Sequence, residues 1–264
     1  MPGIQKALFI GMLSCLLCSP AGFAQTAGDV KQGEYLAKAA NCVGCHTEER
    51  EGAVPYAGGR PLATPFGTFY GPNITPDPDA GIGRMSEADF IRAMRSGVRP
   101  DGAAYFPAFP YPSFTKITDG DLRAIWAYLR SLRPDRRANQ AHDLGFLFQW
   151  RFPVRFWKWL FFTPGPLVGN PARSPAINRG AYLVQALGHC GECHTPRNLL
   201  GGPEKKRFLG GGKGPNGKRV PSLTPTRLKK WGDADLKAFL VAGMTPDGDV
   251  PAESMGEVIR NTTS

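Results

Sequence analysis

The chain has 264 residues, a hydrophobic fraction of 42% and a formal net charge of +10, which admits two small domains and is short for three. Its 33 Gly and 25 Pro interrupt helices and strands, so short helices and long loops are expected. The basic balance favours acidic partners or anionic lipid headgroups; nucleic acid is the weaker reading because no basic-aromatic reader motif occurs in the chain.

In chain order, residues 1–24 carry Lys6, an apolar run over 7–18, and small residues ending in Gly22-Phe23-Ala24. This layout predicts a secretory signal cleaved before Gln25 and too short to span a bilayer permanently. Cys15 and Cys18 fall inside the apolar run and belong to it. The other four of the six cysteines sit in two identical patterns, Cys42-Val43-Gly44-Cys45-His46 and Cys190-Gly191-Glu192-Cys193-His194. None is left for a structural disulfide, although an exported chain could hold one.

In a C-x-x-C-H run the two thiols and the imidazole occupy positions i, i+3 and i+4, neighbours on one helical turn. The thiols can add to the two vinyl groups of a porphyrin while the imidazole binds its iron. Zinc would need four converging ligands, and neither zinc nor a thioredoxin-like pair requires His directly after the second Cys. Two copies predict two covalently held hemes c, on Cys42, Cys45 and His46 and on Cys190, Cys193 and His194.

The rest of the chain repeats as well. Gly33-Glu34-Tyr35-Leu36 matches Gly180-Ala181-Tyr182-Leu183, each in an amphipathic helix leading to its Cys pair. Pro72-Asn73-Ile74-Thr75-Pro76 matches Pro221-Ser222-Leu223-Thr224-Pro225, a turn-rich loop. Ser86 and Gly232 each begin a helix with an acidic first turn, and Gly97 and Gly243 end those helices. Phe90, Ile91 and Met94 form the inward face of the first. From there a constant offset pairs Pro100-Asp101-Gly102 with Pro246-Asp247-Gly248 and carries Met255 onto Phe109. Met244 aligns beside the helix-ending glycine and reads as packing.

Thr118 starts a further helix with Leu122, Ile125, Trp126 and Leu129 on one face, stopped by Pro134. The second copy reaches Ser264, opposite Thr118, without a counterpart to this closing helix, so it reads as cut short. Residues 146–162 are dense in aromatics (Phe148, Trp150, Phe152, Phe156, Trp157, Trp159) interleaved with Arg151, Arg155 and Lys158. Too charged and too short to cross a membrane, this stretch is expected to pack its rings between the two halves rather than lie on a membrane surface.

The run Gly188-His189-Cys190-Gly191-Glu192-Cys193-His194-Thr195-Pro196-Arg197, with Pro107-Ala108-Phe109-Pro110-Tyr111-Pro112-Ser113 and Thr245-Pro246-Asp247-Gly248, resembles the multiheme cytochrome c subunits of bacterial membrane-associated alcohol and aldehyde dehydrogenases and their diheme relatives. The resemblance covers nearly the whole chain after residue 24. It implies an all-α fold of two tandem small cytochrome c domains with long loops, the second lacking its closing helix. The expected divisions are a signal over 1–24, a first domain over 25–135, an aromatic linker over 136–173 and a second domain over 174–264. The implied role is to take electrons from a periplasmic dehydrogenase subunit and pass them to a respiratory-chain acceptor, in the periplasm and in peripheral contact with the outer face of the inner membrane.

In that family a heme has His below and Met above, so the resemblance makes His46 and His194 the lower ligands and Met255 the upper ligand of the second heme. Phe109 replaces Met over the first. That site is then either vacant or bound by a residue from elsewhere, His142 before Met94 or Met85. The alternative function is a diheme enzyme, of peroxidase or sulfur-compound oxidising type, working at an open first heme. No nucleophile-base pair or glycine-rich cofactor loop stands out to favour it. Arg197 and Asn73 are candidates for heme propionates beside their ordinary readings as a solvated Arg and a turn Asn, and Pro196 is either a carbonyl partner for an imidazole Nδ1–H or a turn proline.

Overall fold

The structure is a computed structural model that describes residues 27–214, 217–251 and 253–264. The expected signal over 1–24, with Cys15 and Cys18, lies outside the described residues. Helices dominate, as expected, with two small antiparallel sheets added. The first half runs through α1 (Ala27–Ala39), α2 (Cys42–His46), the hairpin β1 (Pro61–Thr64) and β2 (Gly67–Tyr70), α3 (Glu87–Ser96), the single turn α4 (Tyr111–Phe114) and α5 (Asp119–Ser131). The chain then returns to add β3 (Asp143–Leu144) to β2, pairing Gly67 with Leu144, and forms α6 (Phe152–Phe161). The second half runs through α7 (Pro175–Tyr182) and a π turn (Leu183–Leu187), α8 (Gly191–His194), the hairpin β4 (Gly212–Lys213) and β5 (Arg219–Val220), α9 (Pro225–Leu228), α10 (Asp233–Ala242) and α11 (Glu253–Val258), which ends in a second π turn (Ile259–Thr263).

The expected helix ends are present. The Ser86 hydroxyl accepts from the Asp89 amide at 3.1 Å, and the Asp89 carboxylate accepts from the Ser86 amide at 3.1 Å, a closed capping box. Thr118 accepts from the Asp121 amide at 3.2 Å. Gly232 has no side chain to cap with, so α10 keeps only the reciprocal half, its amide donating to Asp235 at 2.8 Å. Gly97 and Gly243 end their helices at φ 57° and 72°, in the left-handed region.

The core forms where the periodicity placed it. Leu122, Ile125, Trp126 and Leu129 of α5 are buried against Leu36 and Ala37 of α1 and Phe90, Ala93 and Met94 of α3. Each Leu or Ile so enclosed contributes on the order of 1.5–3 kcal/mol. The α1–α5 crossing is close because of Gly33, where a Cβ would stand 1.8 Å from the Ala124 carbonyl oxygen. The same core continues into Tyr182, Ala186 and Leu187 of the second half. There the Tyr182 hydroxyl donates to Asp121 at 2.6 Å and accepts from the Thr118 amide at 3.1 Å.

The aromatic stretch corrects the expectation of rings packed between the halves. Phe146, Leu147, Trp150, Phe152, Phe156 and Trp159 are all exposed, Trp159 at 76%. Only Val154 of α6 is buried. The half-buried side chains facing inward include the cations. Arg151 lies 4.4 Å from the Phe106 ring centre and donates to the Ala104 carbonyl at 2.9 Å. Lys158 reaches the carbonyls of Ser96 at 2.5 Å and Gly97 at 3.3 Å. Those carbonyls end α3 and carry the negative end of its dipole, which favours cations; Trp157, Phe161 and Phe162 are partly buried beside them, and the other rings are left outside. Met244, expected to pack, is likewise 56% exposed.

Candidate functional site

Each C-x-x-C-H run follows a helix that turns sharply at the residue before its first Cys, Asn41 at φ 51° and His189 at φ 36°. Both residues tolerate this conformation better than a branched side chain would. In the first copy Cys42, Cys45 and His46 share the one-turn helix α2; in the second, Cys193 and His194 lie on α8 with Cys190 capping it.

Around both runs the loops close in the same way. His46 Nδ1 lies 2.7 Å from the Pro72 carbonyl oxygen, and His194 Nδ1 lies 2.8 Å from that of Pro221. A carbonyl can only accept, so Nδ1 carries the proton and Nε2 keeps the lone pair that can ligate. The His46 carbonyl accepts from Gly58 at 2.7 Å and the His194 carbonyl from Gly211 at 2.8 Å. Thr47 Oγ1 accepts from the Tyr56 amide at 3.0 Å, and Thr195 Oγ1 from the Leu209 amide at 3.1 Å. Tyr56 and Leu209 both stand at positive φ, 66° and 58°.

Among the neighbouring residues, the Pro196 candidate is corrected, and Arg197 and Asn73 have protein partners. The carbonyl partner of His194 is Pro221, while that of Pro196 accepts from the Glu204 amide at 2.9 Å. Arg197 pairs with Glu192 at 2.5 Å and donates to the Gly201 carbonyl at 2.9 Å. Asn73 is buried, donating to the Asp135 carbonyl at 2.8 Å and accepting from the Thr75 hydroxyl at 2.7 Å. The last two therefore serve local loops.

Burial sets the electrostatics. It pushes the Cys42 thiol up to about 12, with Cys45 adding to the rise. It pushes Cys45 up to about 11; Arg60 opposes this, while Glu257 and Cys193 reinforce it. Cys193 is exposed as a residue, yet crowding at its sulfur and the Glu192 carboxylate raise it too. Burial lowers both His46 and His194 against the opposing pull of their proline carbonyls. The imidazoles are thus held neutral, the form that binds metal.

The two runs adjoin one another. Cys193 adds to the rise at Cys45, and burial lowers His189 against the opposing pull of Glu192 and the Ala40 backbone. The edge of the His189 ring meets Phe114 at 5.4 Å between centres, and Ser113 donates to Glu192 at 2.7 Å.

Met255 is half-buried on α11, whose Glu257 reaches across to Arg60. This long-range pair carried no local signal in the sequence. Phe109 is partly buried among Tyr105, Tyr111 and Phe114, with centres 5.3, 6.2 and 5.8 Å away. His142 is engaged at the sheet, its Nδ1 accepting from the Tyr70 amide at 3.2 Å and its ring 5.2 Å from that of Phe69. Met94 is buried in the core and Met85 packs against it.

Four free thiols and two neutral imidazoles with Nε2 available fit covalently held heme. Among the described residues no three His, Cys, Asp or Glu converge as a metal site built from side chains alone would need.

The family model described as Cytochrome c matches residues 30–133. Over 98% of its length the chain is 42% identical to a diheme cytochrome c-type protein of Cereibacter sphaeroides, covering 93% of that protein. It is 37% identical to the cytochrome c subunit of an alcohol dehydrogenase (quinone) of Gluconobacter oxydans, over 99% of the chain. Against the gluconate 2-dehydrogenase cytochrome c subunit of Pantoea cypripedii it is 39% identical over 90% of the chain. The chain spans 56% of each of these two dehydrogenase subunits.

Proposed function

The chain belongs to the diheme cytochrome c family, and from that premise we propose that it carries electrons from a periplasmic dehydrogenase toward the respiratory chain. Membership brings covalently bound heme c; the reading here is two hemes, one on each C-x-x-C-H run. When bound, a heme supplies a one-electron iron couple. Cys42 and Cys45, and Cys190 and Cys193, tether the two groups. His46 and His194, oriented by Pro72 and Pro221, would ligate the two irons, and Met255 would be a further ligand of the second.

The observation that carries this reading is the duplicated cradle, in which two imidazoles are fixed by carbonyls from matching loops at 2.7 and 2.8 Å. It also supports two tandem units over 25–135 and 174–264, joined by 136–173; the export signal over 1–24 rests on the sequence layout alone. Gly33 and Gly180 hold matching places in the repeat but differ in their surroundings. A Cβ on Gly33 would strike α5, whereas one on Gly180 would meet nothing within 4 Å. The relatives named as dehydrogenase cytochrome subunits weigh against the diheme-enzyme alternative.

Mass spectrometry of the acid-denatured holoprotein tests the reading. It should show two retained hemes, one lost in each of the Cys42→Ala/Cys45→Ala and Cys190→Ala/Cys193→Ala variants. Heme freed by acid-acetone would overturn it.

A further inference from the structure

We propose that α6 and the loop at Leu199 and Leu200 form a docking surface for an anionic lipid bilayer. This deepens the reading of a periplasmic electron carrier at the membrane by naming the surface that would hold it there.

Two separate stretches of chain place exposed apolar side chains side by side. Trp150, Phe152, Phe156 and Trp159 stand 57%, 68%, 61% and 76% exposed. The Trp157 indole donates to the Leu200 carbonyl at 3.0 Å, bringing up Leu199 and Leu200, 103% and 61% exposed. Soluble surfaces rarely leave so many large apolar groups together. Along α6, Arg151, Lys158, Trp157 and Phe161 turn toward the protein, while Phe152, Phe156 and Trp159 face outward beside the exposed Arg155.

Charge selects a bilayer of anionic lipid. From Leu144 to Gly191 the sequence has no Asp or Glu, and besides the inward-turned Arg151 and Lys158 it places three exposed cations there, Arg155, Arg173 and Arg179. The Lys205 ammonium donates to the Thr163 hydroxyl at 3.2 Å, so the exposed Lys205-Lys206 turn adjoins the end of α6. Rings that enter the acyl boundary beside cations that meet headgroups are the two requirements for interfacial binding. Trp favours that depth in particular. Among the described residues no helix is long and apolar enough to cross the membrane, and α6, at 10 residues, can lie in its plane.

The test is flotation of the full-length holoprotein with vesicles of phosphatidylglycerol and phosphatidylethanolamine, read by heme absorbance. Phosphatidylcholine vesicles are the neutral control. The holoprotein should float with the anionic vesicles and at least about tenfold less with the neutral ones. Trp150→Ser/Phe156→Ser/Trp159→Ser should bind at least about tenfold more weakly, with its reduction by a small soluble donor unchanged. Lys205→Glu/Lys206→Glu, which touches no core residue, should also weaken binding to the anionic vesicles. Hydrogen exchange should slow at 150–160 and 199–200 on vesicle addition. Failure to float, wild-type binding by both variants, or protection at these segments by a dehydrogenase subunit but not by vesicles would overturn the proposal. A heme count other than two would unseat the electron-carrier reading without altering what flotation decides.

Discussion

Arg60 and Glu257, far apart in the chain, form a two-pronged ion pair, Nη1–Oε1 and Nη2–Oε2 both at 2.8 Å, with 14% and 19% of their side chains exposed. It ties the loop beside the first Cys pair to the helix that carries Met255. Burial raises the Glu257 carboxyl despite Arg60, so removing the guanidinium strands an enclosed acid. Arg60→Ala should lower stability by about 3 kcal/mol. Arg60→Lys, which keeps the charge and loses the fork, should fall between. Thermal unfolding orders the three proteins, and equal melting of the Lys and Ala variants would show that the fork contributes nothing.

Gly33 and Gly180 hold matching places in the repeat and should answer the same substitution with opposite signs. Gly33→Ala drives a methyl against the Ala124 carbonyl and should destabilise by about 1–3 kcal/mol or more. Gly180→Ala gains helix propensity in open space and should stabilise by about 0.5–1 kcal/mol. Denaturant midpoints of the two variants decide it.

Met255→Ala should abolish the weak absorption near roughly 695 nm that a Met-iron bond gives an oxidised heme. Survival of that band would move the ligand to another residue, Met244 being the nearest thioether in the sequence.

With Phe109 in the place matching Met255 and His142 engaged with Tyr70 and Phe69, the first heme should accept an added ligand. Titration with imidazole or cyanide should convert one heme of the two, and His142→Ala should leave the titration unchanged. A high-spin heme appearing only in His142→Ala would instead make His142 the ligand.

The Ser86–Asp89 capping box gives α3 a pH dependence. Hydrogen bonds from the Ser86 side chain and backbone, then Arg92, hold the Asp89 carboxyl below its ordinary value. A carboxyl depressed in the folded state adds stability that is fully present above its unfolded pKa, about 4. That stability is lost as pH falls through the folded value. Asp89→Asn should therefore flatten the acid limb of a stability-versus-pH curve, with little change in its slope above pH ~6.

What the sequence made legible follows from the range of the interaction. The C-x-x-C-H runs and the apolar face of α5 are local patterns, fixed by helical spacing, and the α5 face is buried as read. The carbonyl partner of His194 was misplaced onto Pro196, two residues away, because backbone carbonyls leave no mark in a sequence. The matched loops already contained the answer, since Pro72 and Pro221 occupy the same place. The outward turn of α6 could not be read locally, because it depends on the carbonyls at the end of α3, many residues earlier. Arg60 and Glu257 were hidden for the same reason.

The shared core has a consequence for inheritance. Repeated units joined by a linker can ordinarily be exchanged or lost one at a time, as beads on a string. Here Tyr182 of one copy is buried against the other and bonds to Thr118 and Asp121 of its neighbour. A recombination that brought in a foreign second copy would have to bring a matching tyrosine and a matching apolar turn at Ala186 and Leu187, or leave the first copy's core open to water. The two halves of the chain share one core, so a substitution on either side of that contact acts on both.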